Sequence, residues 1–371
     1  MKKINRFLIF IVIFIVCLVG ISATHFCSLL HNTPVPSGYY AVGMSLYHWI
    51  DYKRTELRLP SKKREINVEF FYPSNLDEHR KQLFPYNPEK MNALKKIKAK
   101  NTVLPYFVWN CLLSGIKSHA EPNAPLNITE SSYPIIIFLP GIAGDNIYNV
   151  YLEELASHGY IIVAIDPPFD TSVSVFPDGT ITELDATLKN AIAKMDRDEI
   201  YAYRTQAHKI WIADIEFVLN QIKTLNNNDR SSLFYNKINL NSIGFMGHSH
   251  GGAVVTEYCA THDNCKAGVN LDGWTKTANT TKGFNTPFMF LVNEKGMAGI
   301  NELFENMNQA TTQKIEIGGA WHAAFSDYIL VKKPLLYIVK TSKEAEDVRN
   351  EINNYLVSFF DTYLKNKEDA K

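Results

Sequence analysis

The run Pro134-Ile135-Ile136-Ile137-Phe138-Leu139 constrains this chain more than any other feature. Its apolar residues do not alternate with polar ones, so an extended segment here must be buried on both faces. That is the situation of a strand in a parallel sheet with helices above and below. The run stops at Pro140-Gly141. Tyr148 to His158 then carries helical spacing, closed by Gly159, and Tyr160 to Ile165 is a second buried run stopped by Asp166-Pro167-Pro168. Strand, helix and strand in this order make a βαβ unit. Downstream, the pattern predicts a helix over Ala202 to Ile222, a strand over Ile243 to Met246 and a helix from about Gly251 to Cys259. Buried strands follow over Ala267 to Leu271 and Pro287 to Val292, then a short strand at Glu316 to Gly318 and a helix from about Ser342 to Leu364. Upstream, Ile66 to Tyr72 reads as an early strand. Residues 76–132 read as an insertion or peripheral helices, and 170–200 as a flap over a site. The expected class is α/β, a mostly parallel central sheet flanked by helices with insertions, in a single domain over residues 31–371.

Apolar residues make up 46% of the 371, enough for a sizeable core and too many for disorder. Lys+Arg and Asp+Glu balance at 38 each, so no charge excess points to nucleic acid as a partner. Residues 1–30 differ from the rest. Lys2, Lys3 and Arg6 precede an unbroken apolar run from Phe7 to Ile21 and then Ser22-Ala23-Thr24, the order of a secretory signal. The competing reading is an N-terminal membrane anchor through residues 7–23. Either places the remaining chain outside the cytoplasm, in a periplasmic or secreted setting. Export makes a disulfide between Cys259 and Cys265 plausible, against two buried thiols, and would leave Cys111 single. Asn127-Ile128-Thr129 and Asn279-Thr280-Thr281 match the N-glycosylation pattern.

The chemistry centres on Gly247-His248-Ser249-His250-Gly251-Gly252. A Gly-x-Ser-x-Gly pattern carries little weight alone. Here it directly follows an apolar strand and directly precedes a helix rich in small residues, the context of a nucleophile elbow. Such a turn holds the serine in a strained conformation, and side chains at the flanking glycines would collide with strand and helix. A serine hydroxyl needs a base. Beyond Ser249 the histidines are His250, His262 and His322. His250 is adjacent on the turn and His262 lies in a hydrophilic connection. His322 follows a short strand, in the loop position this fold requires, and is the expected base. The acid is left between Asp272 and Glu294, each at the C-terminal end of a strand. Backbone amides of Ile142, after the Pro140-Gly141 turn, and of His250, after the nucleophile, are placed to meet a developing oxyanion. His248 and His250 flank the elbow without a further ligand cluster, so no metal and no cofactor is expected.

The chain resembles the platelet-activating-factor acetylhydrolase family, the secreted, lipoprotein-associated type and its bacterial α/β-hydrolase relatives. The matching runs are Tyr40 to Gly43, Val68 to Ser74, Pro134 to Gly141, Leu155 to Tyr160, Gly247 to Gly252, Asn270 to Trp274, and Trp321 to Asp327, in the family's order. The resemblance implies an α/β-hydrolase fold, Asp272 as the triad acid with Ser249 and His322, and oxyanion amides at Ile142 and His250. It also implies a lipid or small-molecule ester substrate, short or oxidised sn-2 acyl groups of phospholipids first and short-chain carboxylesters second, and with them a lipid or membrane surface as a partner. The Leu139-Pro140-Gly141 run and His250 depart from the family's usual residues, and both bear on the acyl pocket. An acyltransferase using the same triad, or an acyl-ligand binder without catalysis, are the rival readings.

Overall fold

A computed structural model describes residues 33–75, 81–184, 197–275, 280, 283–296, 299–330 and 344–365. The strands in chain order are β1 (Ala41–Thr55), β2 (Lys63–Ser74), β3 (Phe84–Pro85), β4 (Lys117–Ser118), β5 (Glu121–Pro122), β6 (Tyr133–Leu139) and β7 (Ile161–Asp166). They continue as β8 (Val173–Val175), β9 (Ile181–Glu183), β10 (Ile238–His248), β11 (Ala267–Leu271), β12 (Phe288–Asn293) and β13 (Thr312–Ile317). The α-helices are α1 (Pro88–Asn101), α2 (Tyr106–Ser114), α3 (Asn149–Ser157), α4 (Arg197–Asn227), α5 (His250–Thr261), α6 (Ile300–Glu305) and α7 (Ala345–Leu364).

Nine strands form one sheet in the order β13-β12-β11-β10-β6-β7-β2-β1-β5. From β13 to β7 every pairing is parallel, while β2 runs antiparallel to β7 and β1 to β2. The continuous apolar runs explain the parallel half. Ile135, Ile137, Leu139, Val163 and Phe245 face one layer with α4 and α5, and Ile136, Phe138, Ile162 and Met246 face the other with α3 and α7. Alternate residues of a strand point to opposite faces, so strands buried on both faces need apolar residues at every position. The fold is therefore that of an α/β-hydrolase, with the C-terminal ends of β6, β10, β11 and β12 opening on one side.

Several boundaries move. The early strand extends from the expected Ile66–Tyr72 to Lys63–Ser74, and β1, fifteen residues long, precedes it where no strand is expected. β10 begins at Ile238, and α4 is longer than its apolar stripe suggests. The stretch 76–132 does hold the helices α1 and α2, and the expected flap contains the β8–β9 hairpin, with residues 185–196 outside the described set. Cys259 and Cys265 are bridged, with Cα atoms 5.2 Å apart. Cys111 is also disulfide-bonded and so is not the single cysteine expected. Asn127 is buried: its side-chain carbonyl accepts from the Thr129 amide at 2.9 Å and the Tyr133 hydroxyl at 3.0 Å, so the glycosylation-like pattern here is a turn. Asn279 lies outside the described residues, as do residues 1–32 with their apolar segment. Among the described residues no helix is long and apolar enough to cross a membrane.

Candidate active site

Ser249 sits between the end of β10 and the start of α5 with φ 56° and ψ −117°, a conformation that side-chain-bearing residues rarely adopt. The turn is possible because of its glycines. A Cβ on Gly247 would lie 2.3 Å from the Gly251 carbonyl carbon, and one on Gly251 would lie 2.4 Å from the Leu139 carbonyl oxygen. Strand, turn and helix touch backbone to backbone. The Ser249 amide donates to the Leu271 carbonyl at 2.9 Å, which ties the elbow to the end of β11.

Asp272 follows directly after β11, also at positive φ (51°), and is fully buried. Its Oδ2 lies 2.6 Å from His322 Nδ1, and His322 Nε2 lies 3.0 Å from Ser249 Oγ. Asn293, the last residue of β12, donates its amide to Asp272 Oδ1 at 3.1 Å and its side-chain N–H to Oδ2 at 2.6 Å. Three donors thus surround a carboxylate that has no access to water, which is how a buried charge is kept in place. Because the carboxylate accepts from Nδ1–H, Nε2 is left as the acceptor facing the Ser249 hydroxyl. Glu294, the other acid open at the sequence level, instead accepts the Gly319 amide at 2.6 Å and so caps the loop that leads to His322. The local sequence does not separate the two acids, because both follow a strand; in the structure it is Asp272, not Glu294, that lies within hydrogen-bond distance of His322.

The loop carrying His322 is pinned by a residue that sequence reasoning did not single out for a role. Asp327 accepts the amides of Asn149 and Val150 at the N-terminus of α3, both at 3.0 Å, and its own amide donates to the Ile147 carbonyl at 3.0 Å. This is an N-cap supplied from a distant part of the chain. Burial raises the Asp327 carboxyl to about 7 despite the two amides. Its place inside the Trp321 to Asp327 run was the available signal.

On the other side of Ser249 lies the loop after β6. A Cβ on Gly141 would meet His248 Nδ1 and Ser249 Cβ, each at 3.3 Å. The Ala143 amide donates to the Asp170 carbonyl and the Gly144 amide to the Gly141 carbonyl, whereas the Ile142 amide has no acceptor among the described residues. The His250 amide is the first of α5 and has no acceptor within the helix. The His250 ring is buried against His208 and Trp211, with centroids 4.7 and 4.8 Å away, and burial, reinforced by His208 and Arg204, holds it well below its ordinary pKa. A cavity of about 350 Å³ opens over this arrangement, with Ile142, Ser249, His322, Asp145, Tyr328 and Lys98 among its walls. Lys98 comes from α1, where it pairs with Asp145 at 2.7 Å and lies over the Trp109 ring of α2.

An open α/β sheet with Ser249, His322 and Asp272 lined up at its C-terminal edge is the arrangement of an α/β-hydrolase, and the family to which the chain is matched makes it a carboxylic ester hydrolase. Residues 27–371 match the family described as platelet-activating factor acetylhydrolase, isoform II, and the chain belongs to that family. It is 23% identical over 375 residues to platelet-activating factor acetylhydrolase of Canis lupus familiaris, covering 91% of this chain and 78% of that one. It is 28% identical over 156 residues to a probable 1-alkyl-2-acetylglycerophosphocholine esterase of Arthroderma benhamiae, covering 40% of this chain and 34% of the other. Among solved structures, a ferulic acid esterase from Streptomyces cinnamoneus superposes with a TM-score of 0.69 at 22% identity, over 92% of this chain and 95% of the other, a likeness of fold.

Proposed function

We propose that the chain is an exported serine esterase that removes short or oxidised sn-2 acyl groups from phospholipids through an acyl-enzyme on Ser249. The observation that carries this reading is the unbroken line from Asp272 through His322 to Ser249, at 2.6 and 3.0 Å, opening on a cavity that Ile142 also lines. Ser249 Oγ attacks the ester carbonyl as its proton passes to His322 Nε2. The Ile142 and His250 amides receive the negative charge on the carbonyl oxygen. His322 then protonates the departing lysolipid oxygen, leaving the acyl group on Ser249. Water repeats the sequence, giving its proton to His322 while the Ser249 oxygen takes it back as the acid leaves. Asp272 keeps its hydrogen bond to Nδ1–H and stabilises the imidazolium.

Phospholipid substrates are supported by the names of the relatives and by the surface beside the cavity. The α1–α2 unit that places Lys98 on the cavity wall exposes Val103 (99%) and Phe107 (72%) at and just after its turn, with Leu104 and Tyr106 beside them. Such a cluster suits contact with a lipid surface. The apolar segment at residues 7–23 supports export. The test is hydrolysis of an acyl-length series of p-nitrophenyl esters beside an sn-2 acetyl phospholipid. The expected result is release of acetate and lysophospholipid, with rates falling as the acyl chain lengthens. Turnover of soluble esters alone would point to a short-chain carboxylesterase, and acyl transfer to an added alcohol at the expense of free acid to an acyltransferase.

A further inference from the structure

We propose that Tyr148 and His248 form a buried positioning pair that locks the loop carrying the Ile142 amide to the loop carrying His322. The two parts of the site that must meet one reacting carbonyl would thereby be held as a unit. Three hydrogen bonds run in line. The Gly141 amide donates to the Tyr148 hydroxyl oxygen at 2.9 Å. The Tyr148 oxygen lies 3.0 Å from His248 Nδ1, and His248 Nε2 lies 2.9 Å from the His322 carbonyl oxygen.

The direction of every bond follows from chemistry. A carbonyl only accepts, so His248 Nε2 carries the hydrogen. In a neutral ring Nδ1 is then the acceptor, and Tyr148 must donate to it while accepting from Gly141. The chain closes without an orphaned group, although both side chains are buried. Burial and the neighbouring His322 hold His248 down to about 3, so it stays neutral when its neighbour is protonated. The His248 ring lies 4.6 Å from that of His322 and 6.1 Å from that of Phe325, which fixes its plane. Gly141 has its amide engaged by Tyr148, whereas that of its neighbour Ile142 has no acceptor among the described residues and is the one left to meet the oxyanion. Tyr148 and His248 both line the cavity, but their hydrogen bonds run to the Gly141 amide, to each other and to the His322 carbonyl, not to Ser249 Oγ or the His322 ring nitrogens, so both act through the groups they hold. Misplacing such groups by an ångström costs up to about 100-fold in rate.

This inference rests on the serine esterase reading above, and the experiment separates the two. The full chain, Tyr148→Phe, His248→Phe and the double variant are assayed on p-nitrophenyl acetate and titrated with a trifluoromethyl ketone, which mimics the tetrahedral intermediate on Ser249. The expected result is a loss of roughly 10- to 100-fold in kcat for each single variant, with KM within about threefold. Affinity for the ketone should fall in parallel with kcat/KM, and the double variant should lose about as much as the worse single one, because both cut one chain. Single variants that keep kcat while only melting earlier would overturn the pair as a positioning device. So would losses that multiply in the double variant, or ketone affinity that does not change. A wild-type chain inert to both ester and ketone would overturn the esterase reading as well.

Discussion

Asp272 directly follows β11, Asn293 ends the neighbouring parallel strand β12, and Asn293 gives both its backbone and its side-chain N–H to the Asp272 carboxylate, at 3.1 and 2.6 Å. The acid that faces His322 is therefore fixed by the strand beside it. Asp272→Asn should leave the fold intact but present an amide to Nδ1 and disturb the tautomer, lowering kcat by about 10³- to 10⁴-fold. Asn293→Leu removes one donor and should cost roughly tenfold. Steady-state kinetics on a soluble ester measure both.

Glu294 serves as the contrast. It accepts the Gly319 amide, and glutamine can accept the same bond. Glu294→Gln should keep kcat within about threefold of wild type. An inactive Glu294→Gln beside an active Asp272→Asn would reverse the assignment of the acid.

Stability should depend on pH with two opposed limbs. His248 is held down to about 3 and His250 well below its ordinary value, both chiefly by burial. As pH falls below 6.5 the unfolded chain takes up protons that the folded one refuses, so stability falls, by up to about 1.4 kcal/mol per pH unit for each group. Asp327 and Glu153 are raised by burial to about 7 and about 8. The folded chain holds their protons where the unfolded one has lost them, so their contribution weakens as pH rises from about 4 to 8. Between about 4.5 and 6.5 the two slopes offset one another. Urea unfolding at pH 5.5 and 8 should show a loss at the higher pH that is smaller in the Asp327→Asn, Glu153→Gln double variant.

The exposed residues at the α1–α2 turn give a prediction that separates binding to a surface from chemistry. Val103→Ser with Phe107→Ser removes two apolar side chains from the exposed turn, each of which contributes about 1.5–3 kcal/mol when fully buried. Hydrolysis of vesicle-borne phospholipid should drop roughly tenfold or more, while hydrolysis of a soluble ester stays as in wild type. Equal rates on vesicles would remove this turn from the account of substrate access.

The parts of the fold that could be read from the sequence were those with a local signature. β6 and β7 are runs of consecutive apolar residues, and the Ser249 turn is a contiguous pattern whose glycines are required by contacts of 2.3 to 2.4 Å. β1 carries no such signature. Its second half mixes His48, Asp51 and Lys53 with aromatic residues and is largely half-buried or exposed, because it pairs near the sheet's edge. The contact that sets Asp272 apart from Glu294 is with His322, fifty positions away, and the Tyr148–His248 contact joins residues a hundred positions apart. Neither leaves a trace in local spacing. Asp327 was visible only as one residue of a longer run, while its task, capping α3, depends on a contact across nearly half of the chain.

The most direct test of the central claim is covalent labelling by a fluorophosphonate, read by intact mass and peptide mapping. A single adduct on Ser249, with loss of esterase activity in step with labelling and neither labelling nor turnover in Ser249→Ala, is the result predicted here. An adduct on another residue, or ester turnover that survives in Ser249→Ala, would contradict it.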